Sequence, residues 1–241
     1  MESQKPFIDF TEDQPSAVKV IVWANQKGGV GKSTLCTLFA NYLCAKGHAV
    51  LLVDCDSQQS IFNRREEDKA NNPDAKFGYH VQTYDISDAK NVEKLMKKAR
   101  KLNAIVIIDS PGSMSQDGMV HLFTQADVVM CPFFFDAVSS RTTSDFTNLM
   151  DLTCTTYNIK APKRYYIPNR IQASWGNKKD IAMWEKTANY FATKGTVTPK
   201  VMSCSDLPRF NTKVNTAKQT ESIGPAFDFI YKELLSIGLA A

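Results

Sequence analysis

The feature that most constrains this chain is a glycine-rich turn set between a buried strand and a helix. Val18 to Ala24 is an apolar, β-branched run with the composition of a strand covered on both faces. After Asn25-Gln26 comes Lys27-Gly28-Gly29-Val30-Gly31-Lys32-Ser33-Thr34. From Ser33 onward Leu35, Leu38, Phe39, Tyr42 and Leu43 fall at i, i+3, i+4, i+7 and i+8, the spacing of a helix with one buried face. Gly47 stands where such a helix ends.

The alternation continues. Ala49 to Val53 predicts a second buried strand ending on Asp54, and Ala104 to Ile108 a third ending on Asp109. Asp127 to Pro132, Arg164 to Ile167 and Pro199 to Met202 read as further strands. Asn91 to Leu102, Ser139 to Thr156, Ile181 to Thr193 and Phe227 to Ile237 read as helices, while Ser57 to Asp88 gives no clear pattern. Strands alternating with helices predict the α/β class: a mostly parallel twisted sheet with helices on both faces. A length of 241 residues, 43% of them hydrophobic, suits a single domain. We expect it to span residues 17–241, after a flexible lead-in over 1–16.

In open parallel sheets ligands gather beyond the carboxyl ends of the strands. The glycine turn, Asp54-Cys55-Asp56 and Asp109-Ser110-Pro111-Gly112 all fall at such ends. Glycines let successive N–H groups face inward around phosphate oxygens, and the following helix adds its positive end. Lys32 supplies a charge to the β- and γ-phosphates, and the Ser33 hydroxyl suits a Mg²⁺ ligand. Asp109, ending a buried strand, needs a cation or donors to meet; the metal shell, in part through water, is the expected partner, with Asp54 beside it. Gly112 would let its N–H approach the γ-phosphate.

These residues resemble a known family. Asn25 to Thr34 is similar to the deviant Walker A motif of the ParA/MinD P-loop ATPases, and closest to the ParA branch. Val53-Asp54-Cys55-Asp56-Ser57-Gln58 resembles that family's second motif, with Ser57 in place of a proline, and Ile107 to Gly112 its Walker B segment. The resemblance implies an ATPase that binds Mg-ATP through Lys27, Gly28, Gly29, Val30, Gly31, Lys32, Ser33 and Thr34. It also implies that Lys27 crosses an ATP-sandwich homodimer, that Asp56 orients the hydrolytic water, and that Asn169 and Pro208 meet the adenine. Catalysis would rest on Lys27, Lys32 and Asp56. The family's ATP-bound dimers bind DNA nonspecifically, and a ParB-like or other partner protein stimulates slow hydrolysis; the implied role is partitioning of a plasmid, chromosome or mobile element. The alternative within the family is a MinD-like or other positioning switch that acts on a membrane or a protein partner.

Composition trims the remaining options. Net charge is +4, and from residue 151 onward 13 Lys+Arg face 7 Asp+Glu, a bias that suits a polyanion. Candidate DNA contacts are Arg209, Lys213 and Lys218, then Lys178 and Lys179. The six cysteines include no Cys-x-x-Cys pair, which argues against zinc and iron–sulfur relatives. The last helix, from Phe227, carries too few cations for a membrane-surface anchor, and no stretch is long and apolar enough to span a bilayer. We therefore expect a cytoplasmic protein, without membrane insertion, that associates with the nucleoid through DNA.

Overall fold

The structure is a computed structural model and describes residues 17–112, 118–172, 174 and 176–240. The expected lead-in over 1–16 lies outside them. Seven strands form one sheet: β1 (Val20–Trp23), β2 (Val50–Asp54), β3 (His80–Thr83), β4 (Ile105–Asp109), β5 (Val128–Phe133), β6 (Lys163–Pro168) and β7 (Thr196–Val197). Their order is β3-β2-β4-β1-β5-β6-β7, and every pairing is parallel. The helices between them are α1 (Lys32–Ala45), α2 (Ser60–Asn71), α3 (Ala89–Lys101), α4 (Gly118–Thr124), α5 (Ala137–Thr156), α6 (Lys178–Ala192) and α7 (Ala217–Ser236).

Strand alternation sorts the core into two layers. Ile21, Trp23, Leu52, Ile107, Met130 and Tyr165 face α1 and α7, where Trp23 packs edge-on against Phe227 and tilted against Phe39. Val20, Val22, Val53, Ile108, Val129 and Tyr166 face the other way, against Leu95 of α3, Leu122 of α4, Phe146 of α5 and Phe191 of α6. Strands β1, β4 and β5 are thus buried on both faces along their length, while the edge strands β3 and β7 are partly exposed.

Two expectations are corrected. The final helix begins at Ala217, not Phe227; a Thr216–Gln219 capping box starts it, and it runs through Pro225. Pro199 to Met202 is not a strand. The chain there runs beside the residues after β6, with Ile171 N donating to Val201 O, but forms only an isolated bridge, and Thr196–Val197 takes the ladder position. The unassigned stretch 57–88 contains α2 and β3, and α4 was not anticipated.

Candidate functional site

The glycine turn leaves β1 and is braced before any ligand is considered. Buried Asn25 donates through Nδ2 to Pro132 O and Thr143 Oγ1, both at 2.8 Å, and accepts Lys27 N on Oδ1 at 3.0 Å. Gly29 and Gly31 hold φ of 76° and 98°, left-handed values that L side chains rarely adopt. A Cβ on Gly31 would also collide with Asn169 Nδ2. Val30 is fully buried, so it anchors the turn, and its carbonyl accepts Asn169 Nδ2 at 2.8 Å. Helix α1 then opens at Gly31 with no side chain capping it, which leaves its positive end to the cleft.

A cleft of about 650 Å³ lies over this turn. Gly28, Gly29, Gly31, Lys32, Ser33 and Thr34 line it from one side; Asp56, Ser57, Gln58 and Ser60 line it from beyond β2; Pro111 and Gly112 from beyond β4; Arg170 from beyond β6. Four separate strand ends therefore converge on one space. Lys27 is not among the lining residues, and it has no ion-pair partner among the described residues.

Burial perturbs two charged groups at this turn: Lys32, which lines the cleft, and Asp109, which like Asp54 is not among its lining residues. Asp109 is fully buried, and neither carboxylate oxygen has a well-formed hydrogen bond. Burial pushes its carboxyl up to about 8, and neighbouring Asp54 and Asp56 add to that, while the Ser33 hydroxyl and Lys32 pull back down. Burial likewise lowers the Lys32 ammonium, against the opposing pull of Asp109 and Asp56. An orphaned carboxylate beside a hydroxyl and a phosphate-binding turn fits an oxygen-loving divalent cation such as Mg²⁺. Asp109 and Ser33 would hold it.

Asp54 has a structural task that was not expected of it. It was expected in the metal shell, but its Oδ2 accepts Ile61 N and Phe62 N, both at 3.0 Å, and its Oδ1 accepts Asp56 N at 3.2 Å. It caps the first turn of α2 from outside the helix, and it does not line the cleft. Asp56 does line it, with one oxygen accepting Gln58 N at 2.9 Å.

Asn169 and Pro208 come together in a narrow slot of about 60 Å³ with Gly31, Thr34 and Leu207. Asn169 has a second task that the sequence reading lacked: besides Val30 O, its Oδ1 accepts Arg170 N at 2.8 Å. Its amide is therefore largely committed to bracing the turn. Arg209, Lys213 and Lys218 follow the slot in one segment, and Lys178 and Lys179 open α6; all five are exposed and unpaired with any carboxylate among the described residues. Sequence reasoning missed Arg170, Ser57, Gln58 and Ser60 as lining residues and Asn25 as the brace. The only available signal was that Asn25, Ser57 and Gln58 lie inside motifs already singled out, and that Ser60 and Arg170 lie close to residues singled out. Among the described residues no group of three His, Cys, Asp or Glu could hold a metal by itself, and no helix is long and apolar enough to cross a membrane.

Comparison with known proteins places these features. The CobQ/CobB/MinD/ParA nucleotide binding domain family matches residues 21–212. Protein ParA of Rhizobium radiobacter is 32% identical over 116 residues, which is 47% of this chain and 47% of that protein, so the match spans about half of each. Two solved structures share the fold. A plasmid partition protein of Borrelia burgdorferi B31 bound to AMPPNP has a TM-score of 0.65 and 19% identity, covering 90% of this chain and 99% of that one. The pNOB8 ParA bound to nonspecific DNA has a TM-score of 0.59 and 16% identity, covering 91% and 98%.

Proposed function

The chain belongs to the CobQ/CobB/MinD/ParA family of nucleotide-binding domains, and from that premise we propose that it is a ParA-like ATPase. It binds Mg-ATP, closes into an ATP-sandwich homodimer, binds DNA without sequence preference, and hydrolyses ATP slowly until a ParB-like or other partner stimulates it. The observation that carries this reading is Asp109: fully buried, without a well-formed hydrogen bond, and grouped with Lys32 and Ser33 at the glycine turn.

Each residue has a defined task. The turn and the uncapped end of α1 receive the phosphates, and Lys32 balances their charge. Magnesium, when bound, supplies further neutralisation of the β- and γ-phosphate oxygens. Ser33 and Asp109 hold its place, and Thr34 meets the α-phosphate. Gly112, whose Cβ position lies 3.6 Å from Lys32 Nζ, is close enough for its N–H to sense the γ-phosphate. Asp56 orients the attacking water from its side of the cleft. Lys27 stands outside its own cleft, which suits a lysine that reaches the phosphates of a second subunit. Asn169 and Pro208 bound the adenine end.

DNA binding rests on charge. Exposed, unpaired lysines and arginines gain affinity by releasing counterions from phosphates and need no sequence-reading helix. Arg209, Lys213 and Lys218 are the first candidates and Lys178 and Lys179 the next. The DNA-bound pNOB8 ParA shares the fold, and the Rhizobium ParA shares sequence. The role that follows is partitioning of a plasmid, chromosome or mobile element, in the cytoplasm and on the nucleoid.

The test is binding to random-sequence duplex DNA with ATP, ADP or no nucleotide, across a salt series. Binding that needs ATP and weakens steeply with salt supports the proposal. Intact ATP binding with no DNA binding in any state would overturn the DNA role and favour a switch that acts on another surface.

A further inference from the structure

Arg170 lines three separate spaces: the phosphate cleft, the narrow slot with Pro208, and an aromatic cleft of about 560 Å³ walled by Phe134, Phe135 and Trp184. Its backbone is held at φ 55°, a left-handed value that costs an arginine free energy and is kept only where surroundings enforce it. The enforcement is visible: Arg170 N donates to Asn169 Oδ1, and Asn169 Nδ2 in turn holds the Val30 carbonyl of the glycine turn. The guanidinium is exposed, lies 5.4 Å from the Phe134 ring centroid, and has neither a carboxylate nor a hydrogen-bond acceptor among the described residues. A strained backbone thus delivers five unused donors to the boundary between the phosphate cleft and the base slot.

We propose that Arg170 is a further nucleotide-binding residue whose guanidinium holds the α-phosphate, the part of the nucleotide that lies at that boundary. Phe134 provides the platform on which the planar guanidinium rests. The inference rests on the nucleotide reading above, because it assigns a second cation to the same ligand.

The test is calorimetric titration of ATP and ADP into the wild-type protein, Arg170→Gly, Arg170→Lys and Lys32→Ala, with thermal melts of each ligand-free variant. Glycine removes the guanidinium and also relieves the positive φ, so Arg170→Gly should melt at or above the wild-type temperature. It should bind ATP and ADP about tenfold more weakly, and by the same factor, since both carry the α-phosphate. Arg170→Lys should recover part of the loss. Unchanged affinity in Arg170→Gly, or a loss confined to ATP, would overturn the α-phosphate assignment. A loss that tracks a lower melting temperature would mean a structural role only. Wild-type binding that Lys32→Ala abolishes keeps the nucleotide reading intact whatever Arg170 does. Absence of wild-type binding would overturn that reading and the inference with it.

Discussion

Strands β2 and β4 lie side by side and end in register, Asp54 opposite Asp109. Both aspartates are buried, at 1% and 0% exposure, and both sit at the carboxyl edge where ligands gather. Their surroundings differ completely. Asp54 meets three backbone N–H groups, two of them from the first turn of α2. Asp109 meets none, and Lys32 and Ser33 are its polar neighbours. The same residue type at the same level of the sheet is thus spent on the fold in one strand and left over for a ligand in the next. What separates them is the element that follows. After β2 the chain turns at once into α2 and brings donors back to the carboxylate; after Asp109 it continues through Ser110-Pro111-Gly112, and proline has no N–H to give.

Substitutions can break this comparison, and the largest effect should come from Asp109→Asn. Magnesium-dependent ATP turnover should fall roughly a hundredfold or more. The ligand-free protein should at the same time become more stable to urea by about 1 kcal/mol or more, since an amide is neutral at no cost whereas the folded protein must take up a proton at Asp109 or bury its charge. Asp56→Ala comes next: turnover should drop about a hundredfold, with ATP affinity retained in direct titration. Asp54→Asn should show the opposite profile, because an amide cannot accept all three N–H groups. Turnover per folded molecule should stay near wild type, while urea unfolding should show a loss of about 1 to 2 kcal/mol.

A further effect is in pH dependence. Asp109 in the folded protein has its carboxyl pushed up to about 8 from an ordinary 3.8, so the folded state holds a proton that the unfolded state releases. Between those two values stability must fall as pH rises. Asp109→Asn should flatten that slope in melts of the ligand-free protein. Asp54 is also raised by burial, but three N–H groups oppose the shift, so Asp54→Asn should flatten it less.

The contrast between the two aspartates also marks what the sequence could carry. The glycine turn, α1 and the strands β1, β2, β4, β5 and β6 were legible because each follows a local rule: an apolar run, a helical period, glycines where φ turns positive. Helix α2 was not, because only Ile61 and Arg65 of its twelve residues are buried, too few to set a period. The start of α7 was hidden by Pro225, which reads as a helix breaker although the helix runs through it from a capping box nine residues earlier. The phosphate side of the site was legible for the same local reason. The role of Asp54 depends on donors seven and eight residues away, and the brace from Asn169 to Val30 spans 139 residues. Such pairings appear only once the sheet is assembled.

The most direct test of the account is a titration of ATP into wild-type protein, Asp109→Asn and Asp54→Asn, each with and without magnesium. Magnesium should strengthen binding in the wild type and in Asp54→Asn, and this gain should disappear in Asp109→Asn. Retention of the magnesium effect in Asp109→Asn, or its loss in Asp54→Asn while the protein remains folded, would contradict the division of labour between the two strand ends.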